Sequence, residues 1–276
     1  MLNAAARPIK TEEEFKYLFS ICTLVSRLDE YDEMLGSFIK AGFTEDFCQY
    51  LYIDNTQGNT FEAFGGINRF LRESGGKYLI ICHQDILLDY DKADDLISRI
   101  KEVEEADPAW AVLGNAGGVN LKHLSLYVVQ SSGPMLYETK FPLKTMTLDE
   151  NFLVVRRSAN LSLSSKLKGF HLYGTEICLV ADILGYNSYV IQFKLLHKSL
   201  GNVDQSYFDL RSSFIQNYTK ALRPRFFRTP FTRFYISGSR LKTWAGNSSI
   251  VLFLARKYDQ LFKKSEDYQL KVRKRD

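Results

Sequence analysis

Hydrophobic and polar positions follow a repeated pattern from residue 17 to residue 115. A short apolar run rich in Ile, Val, Tyr and Leu is followed by a polar turn and then by a stretch with apolar residues at helical spacing. This order predicts alternating strands and helices. Because the apolar runs are nearly continuous, they indicate strands buried on both faces, as in a parallel sheet covered by helices. The predicted strands are 17–25, 49–53, 77–83 and 109–113, and the predicted helices are 29–40, 60–73 and 92–106.

Beyond residue 118 the alternation becomes irregular, which predicts a mixed or antiparallel extension of the sheet. A further helix is predicted over 175–184, where the apolar residues form one stripe. From residue 205 the pattern is mostly helical, with interruptions at Pro224 and Pro230. The additional strands are predicted at 124–129, 135–138, 147–155 and 188–193.

The composition is that of a folded chain. With 276 residues, 45% hydrophobic and 25% charged, the chain can form a core without disulfides or a structural metal. The four cysteines form no CxxC pair and mostly lie in apolar runs, which indicates buried thiols in a reducing compartment. We predict an α/β domain over residues 1–203 and a basic helical C-terminal appendage over residues 204–276. The sequence shows no signal-peptide pattern and no membrane-spanning run, so we expect a cytoplasmic protein.

The net charge of +4 conceals an uneven distribution. Residues 201–276 contain 16 Lys+Arg and 6 Asp+Glu, so this segment carries +10 and the rest of the chain −6. Its stretch 223–240 interleaves arginines with aromatic residues, a pattern that suits a solvated surface, nucleic acid or an anionic membrane surface. The apolar run 250–254, followed by basic residues, favours a membrane or packing in the protein core over nucleic acid. We therefore expect peripheral contact with the inner face of the membrane and no nucleic-acid partner.

Polar residues lie at the carboxyl ends of the predicted strands, where open α/β sheets bind ligands. Thr23 lies near the end of the first strand, Asp54 follows the second, and His83-Gln84-Asp85 ends the third. Asp54 and Asp85 are 31 residues apart, about one βαβ unit, so both carboxylates are expected at one edge of the sheet. Such a pair suits a divalent cation or sugar hydroxyls. GxGxxG, a P-loop and HExxH are absent, which argues against hydride transfer and P-loop chemistry.

An ordered set of short segments extends these strand-end residues across about two-thirds of the chain. The set comprises 19–25, Ile53-Asp54-Asn55, Asn68, His83-Gln84-Asp85-Ile86, 148–157, 169–176 and His197-Lys198-Ser199. It resembles the GT-A nucleotide-sugar glycosyltransferases, and more narrowly the family-2-like branch in which an HQD element replaces DxD. The resemblance spans residues 17–201 and implies a Rossmann-like GT-A fold.

The resemblance also implies roles for individual residues. Asp85 is expected to bind a divalent cation, Mn²⁺ or Mg²⁺, that bridges the donor diphosphate, and His197 matches the position of another metal ligand. Glu176 matches the acidic residue that serves as general base in inverting members. The residues expected to bind the nucleotide sugar are Thr23, Asp54, Asn68, His83, Asp85 and Arg157. The residues expected at the acceptor are Gly117, Gly118 and His171.

Some of these residues also have structural explanations. Asp54 suits a turn at the end of a strand, and Glu176 is favourable in the first turn of a helix. Gly117-Gly118 is as consistent with a tight turn as with the close approach of a sugar. Asp149-Glu150 most resembles a turn into a strand, although its acidic side chains could also meet sugar hydroxyls.

The implied function is an inverting, metal-assisted transfer of a sugar from a nucleotide donor to a hydroxyl of a glycan or lipid-linked acceptor. This chemistry needs a Lewis acid at the leaving diphosphate and a carboxylate that takes the acceptor proton. The implied setting is cell-surface polysaccharide synthesis. The alternative is a non-catalytic subunit that binds nucleotide sugars within a polysaccharide-synthesis complex.

Overall fold

Strands and helices alternate from Tyr17 onwards, as the hydrophobic pattern predicts. A computed structural model of the chain describes residues 6, 9, 13–136, 140–199, 201 and 203–262. The described helices are α1 Leu28–Lys40, α2 Ala63–Glu73, α3 Ala93–Ala106, α4 Tyr173–Ile183, α5 Gln205–Ala221, α6 Arg240–Gly246 and α7 Ser249–Phe262. The described strands are β1 Tyr17–Val25, β2 Cys48–Asp54, β3 Gly76–Cys82, β4 Ile86–Leu87, β5 Trp110–Gly114, β6 Ala116–Gly118, β7 Leu124–Gln130, β8 Gly133–Leu136, β9 Leu143–Thr145, β10 Thr147–Leu148, β11 Phe152–Arg156, β12 Asn187–Val190, β13 Leu196–His197, β14 Arg225–Arg228 and β15 Arg233–Ile236.

Seven of the described strands form the main sheet, in the order β2-β1-β3-β11-β5-β12-β9. β1 pairs in parallel with β2 and with β3, and β5 pairs in parallel with β12. β11 is inserted antiparallel between β3 and β5, and β9 is antiparallel at the edge. Five of the seven strands therefore run in one direction. The predicted α/β class, with a mixed and mostly parallel sheet, is confirmed.

Helices pack against both faces of this sheet. Met34 and Phe38 of α1 are fully buried in a core that includes Phe19 of β1. Because successive residues of a strand point to opposite faces, Leu24 of β1 lies on the other face, against Gly66 of α2. Full burial of one such large apolar side chain contributes roughly 1.5–3 kcal/mol. The two layers of helices therefore stabilise the strands whose ends form the site.

The residues of α1 explain why a helix forms in this segment. Its buried residues Tyr31, Met34 and Phe38 recur at the spacing of one helical face. Acidic residues in its first turn and Lys40 in its last turn interact favourably with the helix dipole. Gly42 follows the helix with a φ of +92°, a conformation that glycine adopts without the steric cost of a side chain.

A second sheet consists of short strands in the order β10-β6-β7-β13-β4, with β8 paired to β7. β4, β6 and β13 have only two or three residues each, too few to show a period in the sequence. The predicted strand 147–155 is wrong as a single element, because a turn divides it into β10 and β11. In that turn Oδ1 of Asp149 accepts a hydrogen bond from the backbone N of Asn151 at 2.9 Å. Part of the predicted strand 135–138 lies outside the described residues.

The chain divides into two units, Met1–Arg211 and Ser212–Asp276, and the boundary falls inside α5. In the second unit β14 and β15 form an antiparallel hairpin, so the segment predicted as helical also contains strands. The side chain of Asn247, which follows α6, holds the backbone of Tyr235 in β15 through two hydrogen bonds of 2.9 and 2.8 Å. None of the helices in the described part of the chain has the length and apolar character needed to cross a membrane.

Candidate active site

A cavity of about 840 Å³ opens at the carboxyl ends of β1 and β3 in the first unit. We call it the strand-end cavity. Residues that follow these strands line it together with β6 and the turn between β10 and β11. This is the edge at which open α/β sheets bind their ligands. The lining includes Ser26, Asn55, His83, Gly117, Glu150 and His197.

Two histidines and an aspartate converge at this cavity. His83 and Asp85 directly follow β3, and His197 joins them because the pairing of β13 with β4 places it opposite Ile86. Nε2 of His197 lies 3.5 Å from Oδ1 of Asp85. Nδ1 of His83 lies 3.9 Å from the same oxygen. One ligand atom of each side chain lies within 4.8 Å of the others, so the cluster can hold a metal ion.

The electrostatic environment of this cluster favours the ionised carboxylate of Asp85 and the neutral imidazole of His83, which are the forms that bind metal. Burial alone would raise the pKa of Asp85, but hydrogen bonds from His197 and Ser199 and the neighbouring imidazoles outweigh it and hold that pKa well below its usual range. Burial and the nearby His197 lower the pKa of His83. Metal ligands must be deprotonated, and a set of two imidazoles and one carboxylate suits Mn²⁺ better than Mg²⁺. The three residues therefore fit a divalent cation.

Tyr173, the first residue of α4, orients the ring of His83. Its hydroxyl donates a hydrogen bond to the backbone O of Glu150 at 3.2 Å. The same hydroxyl lies 3.0 Å from Nε2 of His83. Since the hydroxyl has one proton and donates it to Glu150, Nε2 of His83 must be the donor in the second bond. This tautomer leaves the lone pair of Nδ1 directed to the side where Asp85 lies.

Gly117 and Gly118, predicted to contact the acceptor, both line the strand-end cavity. Their lack of a side chain also has a structural reason, because β6 pairs closely with β10. A Cβ at Gly117 would collide with the backbone O of Thr147, and a Cβ at Gly118 would lie 2.8 Å from Oγ1 of the same residue. His171, the third predicted acceptor residue, also lines the cavity, and its ring packs edge-on against Tyr207 with centroids 5.6 Å apart.

Glu176, the predicted general base, is fully buried in α4. Its Oε2 accepts a hydrogen bond from the backbone N of Ser164 at 3.0 Å. Thr175 lines the strand-end cavity, whereas Glu176, one position further around the helix, is not among the lining residues. The structure thus places this carboxylate in the protein interior, where it supports the segment before α4.

Thr23 and Asp54 both lie outside the lining of the strand-end cavity. Oγ1 of Thr23 lies 3.4 Å from Sγ of Cys82, and the residue is buried on the face that α1 covers. Strand alternation thus directs Thr23 into the core. Asp54 is exposed, and Thr56 donates two hydrogen bonds to its Oδ1, of 2.8 Å from N and 2.6 Å from Oγ1. These bonds lower the pKa of Asp54, and the geometry is that of an Asx turn.

Asn68 and Arg157, two further residues predicted to bind the nucleotide sugar, line a different cavity of about 950 Å³. The side-chain amide of Asn68 makes two hydrogen bonds to the backbone of Leu163. Its Nδ2 donates to Leu163 O at 2.9 Å, and its Oδ1 accepts from Leu163 N at 2.8 Å. Arg157 begins the short 3₁₀ turn after β11. Of the predicted nucleotide-sugar residues, only His83 is among those that line the strand-end cavity, and Asn68 and Arg157 line the second cavity.

Three further residues complete the site: Tyr173, Ser199 and Glu150 in the turn between β10 and β11. The sequence suggests contact with sugar hydroxyls for Glu150 and assigns no chemical role to the other two. Oγ of Ser199 lies 3.2 Å from Nε2 of His197. Tyr173 and Ser199 both lie within the segments that carry the family resemblance, which is the signal that points to them. Their roles depend on contacts between residues distant in sequence, and a pattern along the chain does not show such contacts.

No protein-family model matches the chain. A protein of Fuscovulum blasticum, described as ATP synthase subunits region ORF 6, is 35% identical over 218 residues, which cover 77% of this chain and 88% of that protein. The chain belongs to the family of this ORF 6 protein. The description of that relative names a gene region and states no activity.

Solved structures resemble the chain at low sequence identity. GalNAc-T7 with UDP, GalNAc and Mn²⁺ is 9% identical, with a TM-score of 0.47 over 73% of this chain and 48% of that one. Residues 1–349 of S. aureus TarS are 12% identical, with a TM-score of 0.43 over 75% of each chain. A197 from STIV is 10% identical, with a TM-score of 0.39 over 68% of this chain and 98% of that one. Similarity at this level carries no argument about function.

Proposed function

We propose that this protein is a GT-A glycosyltransferase that moves a sugar from a nucleotide-sugar donor to a hydroxyl of a glycan or lipid-linked acceptor. The observation that carries the proposal is the convergence of His83, Asp85 and His197 at a cavity on the carboxyl edge of a mostly parallel sheet. The resemblance of residues 17–201 to the family-2-like branch with an HQD element supports it. We further propose that transfer proceeds with inversion and with a divalent cation.

His83, Asp85 and His197 would hold this cation. A divalent metal at that position would stabilise the negative charge that develops on the leaving diphosphate. Asp85 remains ionised because its histidine and serine neighbours stabilise the carboxylate. His83 presents Nδ1 because Tyr173 binds the opposite nitrogen. The protein residues thus supply a preformed set of metal-ligand atoms.

The size and lining of the strand-end cavity suit a nucleotide sugar. Ligand pockets commonly have volumes of roughly 300–1,000 Å³, and this cavity has about 840 Å³. Asn55, at the rim after β2, is held in place by Thr60 N, which donates to its Oδ1 at 2.9 Å. Gly117 and Gly118 of β6 also line the cavity, where a sugar ring can approach their backbone.

We also propose a cytoplasmic location at the inner face of the membrane, with a role in cell-surface polysaccharide synthesis. The support lies in the second unit, which combines basic residues with large exposed apolar side chains. Such a surface suits an anionic membrane that contains lipid-linked acceptors. The most exposed of these side chains are Phe231, Leu241, Trp244 and Ile250.

A non-catalytic nucleotide-sugar-binding subunit is the second candidate. The observation that favours it is the position of Glu176, because the predicted base does not line the cavity. The two candidates share donor binding and differ in turnover.

The test is to measure donor binding and nucleotide release with a panel of uridine, guanosine and cytidine diphosphate sugars, in Mn²⁺ and in Mg²⁺. Asp85→Asn should lose metal-dependent donor binding. Asp46→Asn is the matched control, since Asp46 is an exposed acid at the opposite, amino-terminal end of β2. Release of nucleotide supports the transferase, and binding without release supports the subunit. Absence of binding with every donor in both metals would contradict both candidates.

A further inference from the structure

The turn between β10 and β11 brings two acidic side chains to the strand-end cavity. β10 places Leu148 opposite Gly117 of β6, and β11 places Phe152 opposite Cys82 at the end of β3. The backbone N of His83 also donates a hydrogen bond to Asn151 O at 3.1 Å. The turn is therefore held between the two glycines and the histidine cluster. Asp149 and Glu150 both line the cavity at this point.

The two acids differ in what their carboxylates do. Oδ1 of Asp149 accepts hydrogen bonds from N and Nδ2 of Asn151, at 2.9 and 2.6 Å, and so shapes the turn. Oε1 of Glu150 accepts a hydrogen bond from the backbone N of Gly174 at 3.2 Å. Gly174 lies in the first turn of α4. The second carboxylate is thus directed to the helix N-terminus that borders the cavity.

Position 174 has no room for a side chain of its own. A Cβ there would collide with the backbone O of Leu148, and it would lie 3.4 Å from Cγ of Glu150. Glu176 also lies in the first turn of α4 but does not line the cavity. The carboxylate that borders the cavity beside the N-terminus of α4 is therefore supplied by the turn after β10. Its neighbours include Tyr173, which links the Glu150 backbone to His83.

The protonation properties of Glu150 agree with this placement. Burial, assisted by the charge of Asp149, raises the pKa of Glu150 to about 8. In its ionised form, a carboxylate with a raised pKa is a stronger proton acceptor than an ordinary one. Glu176, in contrast, is buried away from the cavity lining, and its Oε2 is engaged by Ser164.

We infer that Glu150, and not Glu176, is the catalytic base of the proposed transfer, an inference that rests on the proposed function. The acceptor oxygen forms a bond to the anomeric carbon, and its proton moves to a carboxylate oxygen of Glu150. The bond between the anomeric carbon and the diphosphate oxygen breaks, and its electron pair leaves with the diphosphate. Glu176 then has a structural role in holding the segment at Ser164.

The experiment compares Glu150→Gln with Glu176→Gln in the full chain, using a donor that the wild-type protein turns over. Removal of a general base costs about 10²–10⁴-fold in rate. Glu150→Gln should therefore lose turnover to that extent while its affinity for Mn²⁺ and for the nucleoside diphosphate stays within about threefold of wild type. Glu176→Gln should keep its turnover number within about threefold of wild type and should instead lower the melting temperature.

A second pair of variants guards against misfolding. Formate added to Glu150→Ala should restore part of the turnover, because a small carboxylate can occupy the space of the missing side chain. Formate should not change the turnover of Glu176→Ala.

The inference is overturned if Glu150→Gln retains wild-type turnover, or if formate rescues the Glu176 variant and not the Glu150 variant. In both cases the proposed function stands, because the wild-type protein is active. Absence of turnover in the wild type with every donor would instead overturn the proposed function, and the inference with it.

Discussion

At the scale of single residues, the hydroxyl of Tyr173 decides which nitrogen of His83 faces Asp85. It donates to the Glu150 backbone and therefore accepts from Nε2 of His83. Residues that orient a metal ligand in this way typically account for a 10–100-fold difference in metal affinity. The sequence contains the tyrosine within a segment of family resemblance, but the contact with a histidine 90 residues away exists only in the folded chain.

Tyr173→Phe should weaken Mn²⁺ binding by about 10-fold or more, because the imidazole loses the acceptor that selects its tautomer. Isothermal titration with Mn²⁺ measures this change. Tyr90→Phe is the control, since Tyr90 is exposed. Unchanged Mn²⁺ affinity in Tyr173→Phe would contradict the assigned orientation of His83.

The pKa of Glu150 also predicts how stability depends on pH. In the unfolded chain the group ionises near pH 4.3, whereas in the folded chain burial and Asp149 raise its pKa to about 8. Between these values the folded state holds a proton that the unfolded state has released, so the wild-type protein loses stability as pH rises. The buried Tyr173 hydroxyl faces the same region, and burial raises its pKa further above the neutral range.

Glu150→Gln cannot ionise and should escape this loss. Its stability relative to wild type should increase from pH 5 to pH 8 and then become constant. Urea unfolding of both proteins at several pH values measures the difference. If the free energies of unfolding of the two proteins differ by a constant amount across this range, the pKa of Glu150 is not raised in the folded state.

At the scale of elements, the close pairing of β6 with β10 determines the shape of the cavity wall. The two strands are short, and the glycines of β6 allow Thr147 to approach where a Cβ would stand, with its backbone O at Gly117 and its Oγ1 at Gly118. The sequence suggests either a turn or a sugar contact for this glycine pair. The structure explains the glycines by the strand pairing, and both glycines also line the cavity.

Gly117→Ala should separate β6 from β10, since its Cβ would collide with Thr147 O. We expect a loss of about 1–3 kcal/mol, typical of overpacking, together with weaker donor binding. Gly36→Ala is the matched control, because Gly36 lies exposed in α1, where an added Cβ would meet no atom within 4 Å. That substitution should be neutral or stabilise by up to about 1 kcal/mol. Chemical denaturation measures the change in stability, and donor titration measures the change in binding. Equal changes in Gly117→Ala and Gly36→Ala would contradict the explanation of Gly117 by strand pairing.

At the scale of the whole molecule, the uneven charge is distributed over two structural units. The basic segment from residue 201 onwards carries +10, and most of it belongs to the unit Ser212–Asp276. Within that unit, Trp244 of α6 is 76% exposed and Ile250 of α7 is 71% exposed. Large apolar side chains at such exposure, combined with positive charge, are typical of a surface that enters a membrane interface.

The full chain should therefore sediment with vesicles that contain phosphatidylglycerol and not with vesicles of phosphatidylcholine alone. The double substitution Trp244→Ala and Ile250→Ala should reduce this binding by at least about 10-fold, because both side chains would otherwise enter the interface. Leu121→Ala, which removes an exposed apolar residue of the first unit, is the control. Binding that is equal for both vesicle types, or unchanged in the double variant, would contradict the membrane proposal.

The sequence by itself determined the alternation of strands and helices and the position of His83 and Asp85 at a strand end, because both depend on local periodicity. Only the tertiary structure brought His197 to these residues, through the pairing of β13 with β4. It also placed Asn68 in a different cavity and Glu176 in the interior. The physical reason is that the direction of a side chain depends on strand register and helix rotation, which contacts distant in sequence decide.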